Sequence, residues 1–281
     1  MSKGQKDIQA LVSGIKLDNN DNYMKAVTEF RKMVNNSDLK LSNDCKIFLL
    51  HAICAEMHAV NRLFDAENEL REIISSCDKL TWVWLGELNF TKATKFKAGM
   101  LEELCILDEK NNYRNEESAH LTLLEYIKAA NASGNPIHIA NSNYNTGSFE
   151  RRTLHYADAI IHFDAALKVY LEDNRLPYAV DTLVALSDIY RILKKYADAV
   201  RSAEQAYIYA EKAEDCRLMR RSAKQCATAY SYINDTEHVK YYCQNILSYC
   251  QAERRGQDGN HDDIDEDWKF ALKKLNIVSL S

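Results

Sequence analysis

Tyr156-Ala157-Asp158-Ala159 and Tyr196-Ala197-Asp198-Ala199 are identical tetrapeptides forty residues apart. The likeness continues past them. Ala159, Phe163, Ala166 and Leu167 stand where the next copy has Ala199, Ala203, Ala206 and Tyr207, and where a third has Val239, Cys243, Ile246 and Leu247. Small or apolar residues at i, i+4 and i+7 fall on one face of a helix, and small ones let a neighbouring helix come close. The N-terminal half repeats the pattern: Tyr23-Met24-Lys25-Ala26-Val27 leads to Phe30 and Met33, and forty residues later Leu63-Phe64-Asp65-Ala66 leads to Leu70 and Ile73. Each stripe reads as the second helix of a helical hairpin. Leu183, Leu186, Ser187 and Tyr190 supply the first helix for Ala199, and Ala223, Cys226, Ala227 and Tyr230 supply it for Val239.

Composition agrees with helix throughout. Of 281 residues, 46% are hydrophobic and 27% charged, which is ordinary globular usage rather than that of a disordered chain. Two prolines and eight glycines leave long stretches uninterrupted, against an all-β sandwich. A formal charge of −5 lacks the basic footprint of a nucleic-acid binder. Met1-Ser2-Lys3-Gly4-Gln5 leads into no apolar signal region, and no apolar run approaches 18 residues. Export and a membrane span are therefore not expected, and the expected compartment is the cytoplasm, with the nucleus as the alternative. The eight cysteines are spread at helical spacing among apolar neighbours, so they read as buried reduced thiols rather than a disulfide framework. Four Asn-x-Ser/Thr matches carry no weight without a secretory signal.

Trp82, Leu85 and Gly86 match the first half of the Trp-x-x-Leu-Gly-x-x-Tyr pattern, with Asn89 where the tyrosine would stand. With the alanines of the second helices, the chain resembles the tetratricopeptide-repeat (TPR) superfamily. Its period of forty exceeds the usual 34 or so, and in this it resembles the long-helix subgroup of Pins-type, rapsyn-like and SNAP-like scaffolds. The resemblance implies an all-α, right-handed α-solenoid of about six helical hairpins with a C-terminal capping helix, whose first helices line a concave groove. Co-chaperones of this superfamily grip a C-terminal carboxylate with a lysine and an asparagine. Leu11 and Ile15 hold those positions here, so a clamp of that type is not expected.

Helices are expected at 4–17, 22–36, 42–60, 62–77, 80–97, 100–109, 116–132, 153–172, 177–193, 196–212, 216–233 and 236–254. The periodicity breaks at 131–152, where Gly134, Pro136, Gly147 and several asparagines fall together. The expected organisation is therefore N-terminal hairpins over 1–130, an irregular insertion loop over 131–152, C-terminal hairpins over 153–254, and an acidic linker with a capping helix over 255–281. A loop of that length inside a repeat array is expected to be mobile or functional.

Candidate sites follow from charge and register. Arg217, Arg220, Arg221 and Lys224 form a basic stripe at helical spacing. The TPR register places Arg221, Lys224 and Thr228 on the groove, facing Val184, Asp188 and Arg191 of the preceding first helix. The expected partner is a peptide or helix of another protein, an acidic one by the charge of the stripe. An N-terminal groove around His51, His58, Val83, Glu87 and Phe90 is the second candidate. Cys54 and His58 have the spacing of two metal ligands, but Cys54 falls on the small buried position of the repeat, and a structural role is preferred. The tail from Asp258 to Asp267 is rich in aspartate, yet it lacks the glycine of a calcium loop. Trp268, Leu272 and Leu275 after it share a face suited to capping a stack. No nucleophile elbow, phosphate loop or metalloprotease motif is present. The chain is thus expected to be a non-enzymatic adaptor or scaffold without cofactor or metal, a subunit of a larger complex; the alternatives are a SNAP-like trafficking adaptor, and a ligand-sensing or enzymatic protein using the 131–152 segment with His138, Arg151, Arg152 and the neighbouring His155.

Overall fold

In a computed structural model, the structure describes residues 20–35, 46–47, 49–51, 53–54, 67–76, 93–110, 113, 115–256 and 262–279. The elements among them are all α-helical: α1 (Asn20–Asn35), α2 (Glu67–Ser76), α3 (Ala93–Lys110), α4 (Glu116–Ser133), α5 (Pro136–Arg152), α6 (Tyr156–Glu172), α7 (Leu176–Ile192), α8 (Tyr196–Lys212), α9 (Cys216–Ser231), α10 (Thr236–Gly256) and α11 (Asp262–Ser279). The fold is an all-α helical repeat. By internal contacts the chain forms two compact units, Met1–Asn145 and Thr146–Ser281.

From α4 to α10, every helix starts twenty residues after the one before, at 116, 136, 156, 176, 196, 216 and 236. The turns share this period. Gly134, Leu154, Asn174, Lys194, Glu214 and Asn234 all have positive φ, between 53° and 69°. Where the backbone turns left-handed after a helix, the next two N–H groups can reach back to the last free carbonyls. Asn174 N–H donates to the Leu171 carbonyl at 3.3 Å and Arg175 N–H to that of Tyr170 at 2.7 Å. The pairs Leu154/His155 and Lys194/Lys195 do the same one helix earlier and one later.

This period corrects the expectation of an insertion loop. Residues 136–152 are helix α5, and α4 extends to Ser133. Gly134 is the left-handed residue that closes α4, and Pro136 opens α5, where its missing N–H costs nothing. Asn135 Oδ1 accepts from the Ile137 N–H at 3.0 Å. The residues that look like breakers are the punctuation of one more regular turn. Gly147 has a packing reason: a Cβ there would lie 3.0 Å from the ring of Phe163, which is fully buried in α6. Gly147→Val is expected to destabilise by about 1–3 kcal/mol through overpacking, read from urea denaturation. A second correction is that 93–110 is one helix, not two elements meeting near 97–100. The helix expected at 4–17 and residues 80–90 lie outside the described residues.

In the first unit, α3 packs on α4 through Leu101, Leu104, Ala119, Leu123 and Tyr126, all buried. In the second, the alternating helices stack as the stripes require. Ala159, Phe163, Ala166, Ala199, Ala203, Ala206, Val239, Cys243 and Ile246 are all buried. Ser187 Oγ of α7 donates to the Ala199 carbonyl of α8 at 2.8 Å, a closeness that a residue larger than alanine would oppose. Among the described residues Cys54, Cys105, Cys226, Cys243 and Cys250 are buried and in no disulfide, while Cys216 is half-buried.

The C-terminal tail differs in part from the expected acidic linker. Residues 262–267 form the first turns of α11, where Asp262, Asp263 and Asp265 suit the positive end of a helix dipole. Ile264 and Ala271 are buried against the core shared by α9 and α10, with Trp268, Phe270 and Leu275 packed around them. α11 thus covers the apolar end of this unit.

Candidate functional site: a groove lined by α7, α9 and α11

Successive first helices α7 and α9 lie side by side, and α11 follows them across the end of α10. Between them is a groove of about 490 Å³ lined by Val184 and Asp188 from α7, by Arg217, Arg220, Arg221, Lys224, Gln225 and Thr228 from α9, and by Asp263, Glu266 and Asp267 from α11. Of the residues expected here, Val184, Asp188, Arg221, Lys224 and Thr228 are brought together. Arg191 lies one turn beyond, donating to Asp188 at 3.2 Å and to the Tyr232 hydroxyl at 3.3 Å, with its guanidinium 5.5 Å from that ring.

The basic stripe divides into residues with different work. Asp215 caps α9, its Oδ1 accepting from the N–H groups of Arg217 and Leu218. This cap sets the phase of the helix, so that Arg217 and Arg221 are exposed, Lys224 is half-buried and Arg220 is buried. Arg221 donates to Asp181 of α7 at 2.6 Å. Lys224 donates to Asp267 Oδ1 at 2.6 Å, and its ammonium lies 5.5 Å from the Phe270 ring centre. Arg220 donates to Glu253 Oε1 at 2.7 Å and also pairs with Asp267. Burial works against its charge, but the hydrogen bond to Glu253 and the charges of Asp267 and Glu253 outweigh it and hold the guanidinium pKa above its ordinary value. Gln225 ties the floor together, donating to Ser187 Oγ and Asp188 Oδ1, each at 3.0 Å.

The stripe does not present bare positive charge: Arg220, Arg221 and Lys224 each have a carboxylate partner within the chain. Helical spacing puts Arg220 in the basic stripe, but it is buried. The signal that places it inside is the repeat itself, because Arg220 stands forty residues after Val180, which is fully buried in α7. Asp263, Glu266 and Asp267 were likewise read as linker, and their place on the groove wall follows only once α11 begins at Asp262.

Of the N-terminal candidates, His51 is half-buried with its ring 5.5 Å from that of Phe96, and burial lowers its pKa. Burial, followed by the charges of Glu69 and Glu103, pushes the Cys54 thiol up to about 12, far from a metal-binding thiolate at neutral pH. His58, Val83, Glu87 and Phe90 lie outside the described residues. Among the described residues, no group of three or more His, Cys, Asp or Glu could hold a metal ion. His138 and His155 have separate surroundings: His138 lies 3.6 Å from Glu102, and His155 2.7 Å from Glu150.

No family model matches the sequence, and no curated protein matches it significantly. Solved structures do. BtubC (BKLC) from P. vanneervenii is 12% identical with a TM-score of 0.64, over 86% of this chain and 92% of that one. TPR-like repeats of a kinesin light chain from Podosopora anserina are 12% identical with a TM-score of 0.57, over 76% of this chain and 99% of theirs. The apo form of RapI is 15% identical with a TM-score of 0.60, over 93% of this chain and 72% of its own. At these identities the likeness is one of fold. The chain has the tetratricopeptide-repeat fold, the class that its forty-residue period and its first-helix groove define.

Proposed function

We propose that the chain is a non-enzymatic adaptor or scaffold of the cytoplasm that holds a peptide or helix of another protein in the groove of α7, α9 and α11, as a subunit of a larger complex. The observation that carries this reading is the groove itself: about 490 Å³, walled by three helices and lined by ionisable side chains on a rigid, repeated frame. Such a frame loses little freedom when a partner binds, which favours recognition. The buried cysteines, in no disulfide among the described residues, support a reducing compartment. Among the described residues no helix is long and apolar enough to cross a membrane.

The test is affinity capture on the full chain with quantitative mass spectrometry, run beside Val184→Arg combined with Arg221→Glu. The first substitution fills the groove, and the second reverses an exposed charge without touching the buried ion cluster. Parent chain is expected to return a stoichiometric protein partner, and the double variant to lose it by about tenfold or more, with helicity by circular dichroism unchanged. Equal recovery by both would move the binding surface elsewhere.

A further inference from the structure

The groove lining is balanced in charge: Arg217, Arg220, Arg221 and Lys224 face Asp188, Asp263, Glu266 and Asp267, four cations against four carboxylates. An acidic segment gains no net attraction from such a lining. What selects a partner is the charge left without an internal partner. On the α9 wall the Arg217 guanidinium has no carboxylate partner among the described residues, because its polar contact to Asp215 runs through the backbone N–H. On the α11 wall, among the described residues, Glu266 is exposed and enters no ion pair, and Asp263 gives only its backbone carbonyl, to Arg220. The other groove charges are committed: Arg220 and Lys224 to Asp267, Arg221 to Asp181, and Asp188 to Arg191 and Gln225.

We infer that the groove selects a segment of mixed charge, with an acidic side chain for Arg217 on one wall and a lysine or arginine for Glu266 and Asp263 on the other. This rests on the groove being the binding surface, and it replaces the uniformly acidic partner with a bipolar one. Opposed walls of opposite sign also fix direction, since a segment entered backwards would set like charges against each other. Each contact is made at an exposed group, so the selection is screened over roughly 8 Å at physiological salt and weakens as salt rises.

The experiment selects twelve-residue peptides from a random phage-displayed library on the full chain, then measures labelled winners by fluorescence polarisation on the parent, Arg217→Glu, Glu266→Arg and the two combined. The expected winners carry both an acidic and a basic residue at a constant separation. Each single reversal weakens them at least tenfold, and the combined variant prefers the peptide with its two signs exchanged. Winners carrying acidic residues alone, weakened by Arg217→Glu but indifferent to Glu266→Arg, would overturn the bipolar selection while leaving the groove as the binding surface. Winners indifferent to both reversals and to Val184→Arg, or no enrichment at all, would overturn the groove reading together with it.

Discussion

Replacing Arg220 with alanine is expected to destabilise the chain by about 3–5 kcal/mol, measured by urea denaturation at neutral pH, because it leaves buried carboxylates without their counter-charge. Glu253 and Asp267 have side chains only 8% and 7% exposed. Lys224 keeps a contact with Asp267, so Glu253 bears most of the loss. The comparison that isolates the cause is Arg220→Met with Glu253→Leu and Asp267→Leu. Exchanging a whole buried ion cluster for apolar groups is often neutral, and this triple variant is expected to recover most of the stability lost by the single one. If Arg220→Ala unfolded at the parental midpoint, α11 would not be seated on α9 and α10 as described.

Ala199→Phe is the second large effect, with an expected loss of about 1–3 kcal/mol or more. Ala199 is 1% exposed at the crossing where Ser187 Oγ meets its carbonyl, and Ala203 beside it is fully buried. A phenyl ring would drive α7 and α8 apart and break that hydrogen bond. The control is Arg201→Phe in the same helix, whose side chain is 67% exposed and where little change is expected. Thermal melts followed by circular dichroism compare the two. Equal melting would mean that the close crossing does not exist.

The second helices were legible because a small residue on a crossing face has few other reasons to recur at forty. Ala159, Ala199 and Val239 gave the register, and the burial of all three agrees with it. The turns were not legible. Leu154, Lys194 and Glu214 occupy left-handed backbone that such residues disfavour by roughly 1–2 kcal/mol, so they carry no turn signature. The surrounding hydrogen bonds and helix packing impose the conformation instead. Gly134 and Pro136 do carry a turn signature, and alone they read as the end of order rather than as another instance of it. At the groove, charge and repeat register put Arg221 and Lys224 beside Val184 and Asp188, and the four line one groove. Which cations remain unpaired depends on where the acidic helix folds back, and that is a tertiary fact. Equivalence by forty residues was nonetheless informative: Asp181 and Arg221 occupy equivalent positions on α7 and α9 and pair with one another.

Helices that start every twenty residues, joined by turns of one geometry, make chain length a free parameter. Cutting out one hairpin's worth of sequence, residues 177–216, would join Leu176 to Arg217 without a change of phase, so the turn at Asn174 would still deliver a helix at the same angle. The alanine-rich face of α6 would meet the helix that α8 had met. Duplication of the same segment would add a rung by the same logic. Unequal exchange between equivalent positions would therefore remove or add a rung in one event, while every junction keeps the turn geometry of its neighbours.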